Sequence, residues 1–171
     1  MTFVSVGNAR QPFKRLLKGI VTIAARLPQP VIVQHGHTPF ECSVCKGVAF
    51  MNMEEFVQNV RSAELLIMHA GAGSVIHAIE SGKVPMVMPR RVSFAEHVDD
   101  HQVEFASALA KAGRVIMVES QEEMEDAVAR ALSLKGIAGI SGKECRMVSL
   151  VRNKLAEIAS KVNRKSISGD V

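Results

Sequence analysis

Leu65-Leu66-Ile67-Met68-His69-Ala70-Gly71-Ala72-Gly73-Ser74 is an apolar run that stops at a loop of small residues. Four large apolar side chains in succession read as a strand buried on both faces, as strands of parallel sheets are. Gly71 and Gly73 carry no Cβ, so the backbone there can turn sharply and approach a ligand. Ser74 is placed to cap a helix over 74–81 and to offer a hydroxyl. The unpaired N–H groups and dipole at such a helix start suit a diphosphate. A strand–glycine loop–helix step also serves plain packing in α/β folds, so the loop alone leaves both readings open.

The same alternation extends in both directions. Phe3-Val4-Ser5-Val6, Val31-Ile32-Val33-Gln34, Val48-Ala49-Phe50-Met51, Val84-Pro85-Met86-Val87-Met88 and Val115-Ile116-Met117-Val118 read as strands. Helical patterns lie between them, at about 12–26, 53–61, 101–112 and 121–134. Strands alternating with helices at this spacing predict a Rossmann-like, doubly wound parallel sheet over residues 1–135. A Gly-rich joint follows, then a helix with Met147, Val151, Leu155, Ile158 and Val162 on one face and basic residues on the other, together 136–165; residues 166–171 read as a tail.

With 171 residues, 47% hydrophobic and 22% charged, the chain holds one well-buried core. Trp and Tyr are absent, so that core is aliphatic, rich in nine Met. No apolar run reaches the roughly 18 residues of a membrane span and no signal-peptide pattern opens the sequence, which predicts a cytoplasmic protein. The net charge of +4 is concentrated beyond residue 134, where eight Lys/Arg face three Asp/Glu, and no aromatic residues interleave with them. Nucleic acid is therefore not an expected partner.

His35, His37, Cys42 and Cys45 bring four metal-ligating side chains within eleven residues. Zinc needs four such ligands converging, and a single CxxC beside two histidines that share a strand face by alternation leaves zinc open alongside coincidence. Gly7-Asn8-Ala9-Arg10 after the first strand lacks the G-x-G-x-x-G of a dinucleotide-binding dehydrogenase.

Taken together, His69-Ala70-Gly71-Ala72-Gly73-Ser74, Gly82-Lys83-Val84-Pro85-Met86-Val87-Met88-Pro89 and Asp100-His101-Gln102 resemble the donor-binding signature of GT-B glycosyltransferases, specifically the family 28 C-terminal domain, the group that includes the C-terminal half of MurG. Arg90-Arg91 followed by Glu96-His97-Val98-Asp99-Asp100-His101-Gln102 resembles the bacterial capsule and exopolysaccharide branch. The resemblance runs over roughly residues 2–134. It implies that Gly71, Ala72, Gly73 and Ser74 hold the diphosphate of a UDP-sugar, with Gly7 and His69 on the donor side, and that Gln102 bonds sugar hydroxyls, its amide offering both donor and acceptor. In one respect the sequence departs: many members place a Glu three residues after the Ser/Thr to grip the ribose, and here that residue is His77, with Glu80 one turn on. Either contacts the ribose in this chain. Arg90, Arg91 and Asp100 are the candidates for catalysis, the arginines by offsetting charge on the departing diphosphate in place of a metal. No cofactor is implied.

The resemblance further implies an inverting hexosyl transfer to a lipid-linked acceptor. GT-B enzymes have two Rossmann-like halves and one fits here, so a membrane-anchored partner subunit is expected to carry the acceptor half and the base, recruiting this chain to the inner membrane face. The alternative is an accessory subunit that keeps the fold without using the donor, and His77 is the feature that favours it.

Overall fold

The computed structural model describes residues 1–134; the expected linker and basic helix at 136–165 and the tail at 166–171 lie outside the described residues. Strands β1 (Thr2–Ser5), β2 (Val31–Gln34), β3 (Cys45–Val48), β4 (Leu65–His69), β5 (Met86–Met88) and β6 (Ile116–Met117) form a single sheet. Every neighbouring pair runs parallel, and the spatial order is β3-β2-β1-β4-β5-β6. Helices α1 (Lys14–Ile23), α2 (Met53–Ser62), α3 (Ala72–Glu80) and α4 (His101–Lys111) lie in the connections β1–β2, β3–β4, β4–β5 and β5–β6, a loop joins β2 to β3, and α5 (Met124–Ser133) follows β6. This is the Rossmann-like fold the alternation predicts.

Burial on both faces follows from the strand period of two. Val4, Val33, Ile67, Met86 and Met88 point to one side, where Leu16, Leu17, Ile20 and Ile23 of α1 and Met124, Ala127 and Val128 of α5 close over them. Phe3, Leu66, Met68 and Val87 take the other side and are equally buried, with Phe3 set edge-on to Phe56 of α2 at 5.6 Å. Each such large apolar side chain contributes roughly 1.5–3 kcal/mol on leaving water, and the buried polar Thr2 that opens β1 has its hydroxyl bonded to the Pro28 carbonyl at 2.8 Å.

The third strand differs from the expectation at 48–51. It is Cys45–Val48, because β2 ends at Gln34 and the register pairs Gln34 with Val48. The apolar residues that follow lead away from the sheet, with the Ala49 carbonyl accepting from Gly36 N at 2.9 Å. As the edge strand, β3 needs no apolar alternation, and Lys46 and Gly47 lie exposed in it. The first and third helices also shift: α1 starts at Lys14, and α3 starts at Ala72, two residues before Ser74. No helix among the described residues is long and apolar enough to cross a membrane.

Candidate functional site

The strand order reverses direction at β1 and β4, where one half of the chain winds toward β3 and the other toward β6. Loops leaving those two strands diverge and open a crevice at the carboxyl ends, the position where doubly wound sheets bind ligands. A cleft of about 330 Å³ occupies it, lined by Ser5, Gly7 and Asn8 after β1, Gln34 at the end of β2, Met51 to Met53 and Phe56, and His69, Gly73, Ser74 and His77. Of the residues expected to meet the donor, Gly7, His69, Gly73, Ser74 and His77 are thus brought together.

The start of α3 is built unlike the start of α2. In α2, Asn52 and Glu55 form a capping box, each side chain bonding the other's backbone N–H at 2.8 and 3.2 Å. In α3 the cap residue is Gly71, with no side chain to accept and no acidic residue in the first turn. Ser74 is therefore the third helical residue and not the cap. Val75 N is the first to find a helical acceptor, the Gly71 carbonyl at 3.0 Å, so the N–H groups of Ala72, Gly73 and Ser74 stand at the positive end of the dipole without helical partners. A Cβ on Gly73 would meet nothing within 4 Å, so its open side faces the space a ligand would take.

His69 closes the back of this loop. Its ring is wedged so tightly that a Cβ added to Gly7 would lie 2.5 Å from Nε2, and one added to Gly71 only 2.1 Å. Gly7 also holds a left-handed φ of 74°, which doubly requires glycine there. Nδ1 lies 3.4 Å from the Ser5 carbonyl. Burial, and then the nearby Arg90 cation, lower the imidazole from 6.5 to about 4, so the ring is neutral near pH 7. A neutral ring donating from Nδ1 to Ser5 leaves Nε2 as an acceptor facing the two glycines.

Sequence reasoning overlooked Gln34. Its side chain is buried, and its Oε1 accepts from Ser5 Oγ at 2.6 Å and Gly7 N at 3.3 Å, while Nε2 donates to Gly7 O at 3.2 Å and Asn8 Oδ1 at 3.1 Å. One amide thereby fixes the loop after β1. The available signal was a Gln ending an apolar strand in register with Ser5, two polar residues side by side at the sheet's carboxyl end.

The segment between β5 and α4 holds the remaining candidates, Arg90, Arg91, Asp100 and Gln102, each bonded within the chain. Arg90 is fully buried, and its guanidinium donates to the carbonyls of Gln11 at 2.7 Å, Val6 at 2.8 Å and Glu96 at 3.1 Å while lying 4.6 Å over the Phe13 ring. Burial lowers it from 12.5 to about 10, against the opposing pull of Glu96. It ties the loop after β1 to the loop after β5, is not among the residues lining the cleft, and keeps a buried Nε without a hydrogen-bond partner. Arg91 instead pairs with Glu119 at 2.7 Å. Glu96, also buried, is held by Arg15 at 2.8 Å. Gln102 Oε1 accepts from Arg90 N at 3.2 Å, and Asp100 Oδ1 accepts from Val92 N at 3.1 Å, so both brace this loop.

His77 and Glu80 approach each other one turn apart, Nδ1 to Oε2 at 4.0 Å, yet they line different cavities. His77 lines the cleft edge-on to Phe56 at 6.2 Å. Glu80 lines a larger cavity, about 520 Å³, together with Leu65, Leu66 and Val84 at the amino ends of β4 and β5. That end of a parallel sheet presents helix C-termini and strand starts, so the smaller cleft is the better candidate for an anionic ligand. The four metal-ligating residues near β3 do not converge: His35 stacks on Phe40 and bonds Thr38, His37 packs on Phe50, and Cys42 and Cys45 contact each other. Among the described residues no group of three or more His, Cys, Asp or Glu is arranged to hold a metal.

Against known proteins, the glycosyltransferase family 28 C-terminal domain matches residues 1–135. A UDP-N-acetylglucosamine–N-acetylmuramyl-(pentapeptide) pyrophosphoryl-undecaprenol N-acetylglucosamine transferase of Cupriavidus pinatubonensis is 29% identical over 105 residues, 61% of this chain and 27% of that protein. Among solved structures, the glycotransferase of kitacinnamycin superposes with a TM-score of 0.63 at 16% identity, over 95% of this chain and 42% of that one. CalG4, the calicheamicin glycosyltransferase, gives 0.55 at 15% identity over 92% and 44%. MurG of Acinetobacter baumannii gives 0.50 at 20% identity over 80% and 40%. The chain therefore spans less than half the length of each of these proteins.

Proposed function

The chain belongs to the glycosyltransferase family 28 C-terminal domain, and from that premise we propose that it is the donor-binding subunit of a two-subunit inverting glycosyltransferase. In this reading it presents a UDP-sugar to a lipid-linked acceptor during exopolysaccharide or capsule synthesis. The observation that carries the reading is the uncapped start of α3 opening into the cleft at the β1–β4 switch point, with the open face of Gly73 toward it.

The diphosphate lies on the N–H groups of Ala72, Gly73 and Ser74, which offset its two or three negative charges without a metal. As the glycosidic bond to the donor breaks, charge grows on the same oxygens, so this site favours the transition state over the bound donor. His69 and Gln34 hold the walls: the first keeps Gly7 and Gly71 apart, and the second fixes the Gly7 backbone. His77 meets the ribose, since it lies on the cleft and Glu80 does not. The acceptor hydroxyl and its base come from a second Rossmann-like half, membrane-anchored, that meets this one across the carboxyl ends of the strands. In support, relatives of this fold are more than twice the matched length.

An accessory role is the second reading, favoured by His77 standing on the cleft where a carboxylate would accept two ribose hydroxyls and an imidazole only one. Transfer assays decide between them. The chain reconstituted with its membrane partner and supplied with a panel of UDP-sugars and membrane lipid extract is expected to release UDP with one sugar. A complex that transfers equally well without this chain, or with its Gly73→Val form, overturns the donor-binding role.

A further inference from the structure

Cys42 and Cys45 take no part in the cleft, yet they are packed as a pair. Cys45 N donates to the Cys42 carbonyl at 3.3 Å, closing a turn, and the two sulfurs lie 2.7 Å apart. Such a turn keeps the two Cα atoms within about 7 Å, inside the range that a disulfide spans. Bonded sulfurs lie about 2.05 Å apart, so the two free thiols are already placed within reach of one another. Both residues are half-buried and therefore reachable by a small reagent. The nearby imidazoles are occupied elsewhere, His35 by Thr38 and Phe40 and His37 by Phe50, so no third ligand among the described residues diverts the thiols to a metal.

We propose that Cys42 and Cys45 form a reversible redox site, a dithiol that closes to an intrachain disulfide by exchange with a low-molecular-weight disulfide such as oxidised glutathione. The Cys42 thiolate attacks the small disulfide, breaking its sulfur–sulfur bond, and one thiol leaves with the proton that Cys42 gave up. Cys45 then attacks Cys42 sulfur in the mixed disulfide, its proton passing to the second departing thiol. Two electrons move from the protein to the reagent, and the products are one protein disulfide and two small thiols. Cys45 is the second to react, because burial and the adjacent Cys42 push its thiol up to about 12. The bond closes the turn from which edge strand β3 starts, and it needs no change in the sheet register.

The full chain, native and as Cys145→Ser, is equilibrated in oxygen-free buffers of graded glutathione ratio, quenched with acid, alkylated with N-ethylmaleimide and digested with trypsin. The fragment 27–46 carries both cysteines. Expected on oxidation is an unlabelled fragment two hydrogens lighter, reversible by reduced glutathione, in both proteins, with Cys42→Ser leaving Cys45 open to label or to glutathione. A native fragment that keeps two labels in excess oxidised glutathione, or that holds stable glutathione adducts in place of the internal bond, overturns the proposal. Because the readout is covalent mass, it stands apart from whether the cleft binds a sugar nucleotide.

Discussion

Replacing Arg90 with Met separates a structural cation from a donor-binding one. The guanidinium makes three bonds to carbonyls, at 2.7, 2.8 and 3.1 Å, from a site with no solvent exposure. Each charge-assisted bond of this kind contributes roughly 1.5–3 kcal/mol. Burial lowers the cation to about 10 against the pull of Glu96, and Arg90→Met, which leaves three carbonyls and the buried Glu96 without this partner, is expected to lose about 2–5 kcal/mol of stability, within the spread seen when a buried charge network is broken. Arg90→Lys recovers part of the loss, since an ammonium on a flexible stem reaches fewer of the three carbonyls. Urea unfolding followed by circular dichroism gives the values. An Arg90→Met protein within about 0.5 kcal/mol of native, yet with UDP affinity reduced tenfold, would refute the reasoning and return Arg90 to the donor site.

Gly71→Ala places a methyl 2.1 Å from the His69 ring and is expected to cost about 1–3 kcal/mol; Gly73→Ala meets nothing and should leave the unfolding midpoint unchanged or slightly raised, which the same urea titrations distinguish. Because folding lowers His69 from 6.5 to about 4, the unfolded chain binds more protons in that window: the stabilisation is complete above pH 6.5 and is lost as pH falls toward 4. It amounts to about 3 kcal/mol, and a His69→Gln protein should show a correspondingly flatter stability profile between pH 7 and 4. Gln34→Leu takes away the acceptor of the Ser5 hydroxyl and the donor to the Gly7 carbonyl, leaving the Gly7 N to Ser5 Oγ bond, a loss of roughly 1–3 kcal/mol accompanied by weaker UDP binding in a titration at constant pH.

The fold was legible because its strongest signals are local. Runs such as Leu65–Met68 and Met86–Met88 are apolar on both faces, and only a covered parallel sheet accounts for them. The edge escaped the same logic: Cys45–Val48 has little to bury, so the apolar residues just beyond it drew the boundary outward. Within the site, the glycines were readable because a missing Cβ has a meaning that does not depend on neighbours. Arg90 was not, since a charged residue in a Pro-Arg-Arg step ordinarily means surface, and its three acceptors lie as far as 84 residues away in sequence. Gln34 was hidden for a related reason, its partners being fixed by the β1–β2 register. His77 and Glu80 share a helix one turn apart and touch at 4.0 Å, and only the direction of α3 makes one line the cleft and the other the neighbouring cavity.

Isothermal titration of UDP into the native chain and into Gly73→Val bears most directly on the donor-binding role. Micromolar binding by the native protein is expected, with affinity reduced about 100-fold or more in the variant, a loss of some 2.7 kcal/mol, while both unfold at the same urea concentration. Equal affinity in the two proteins, or no heat from the native chain alone and in complex with its partner, contradicts a diphosphate seat at the start of α3.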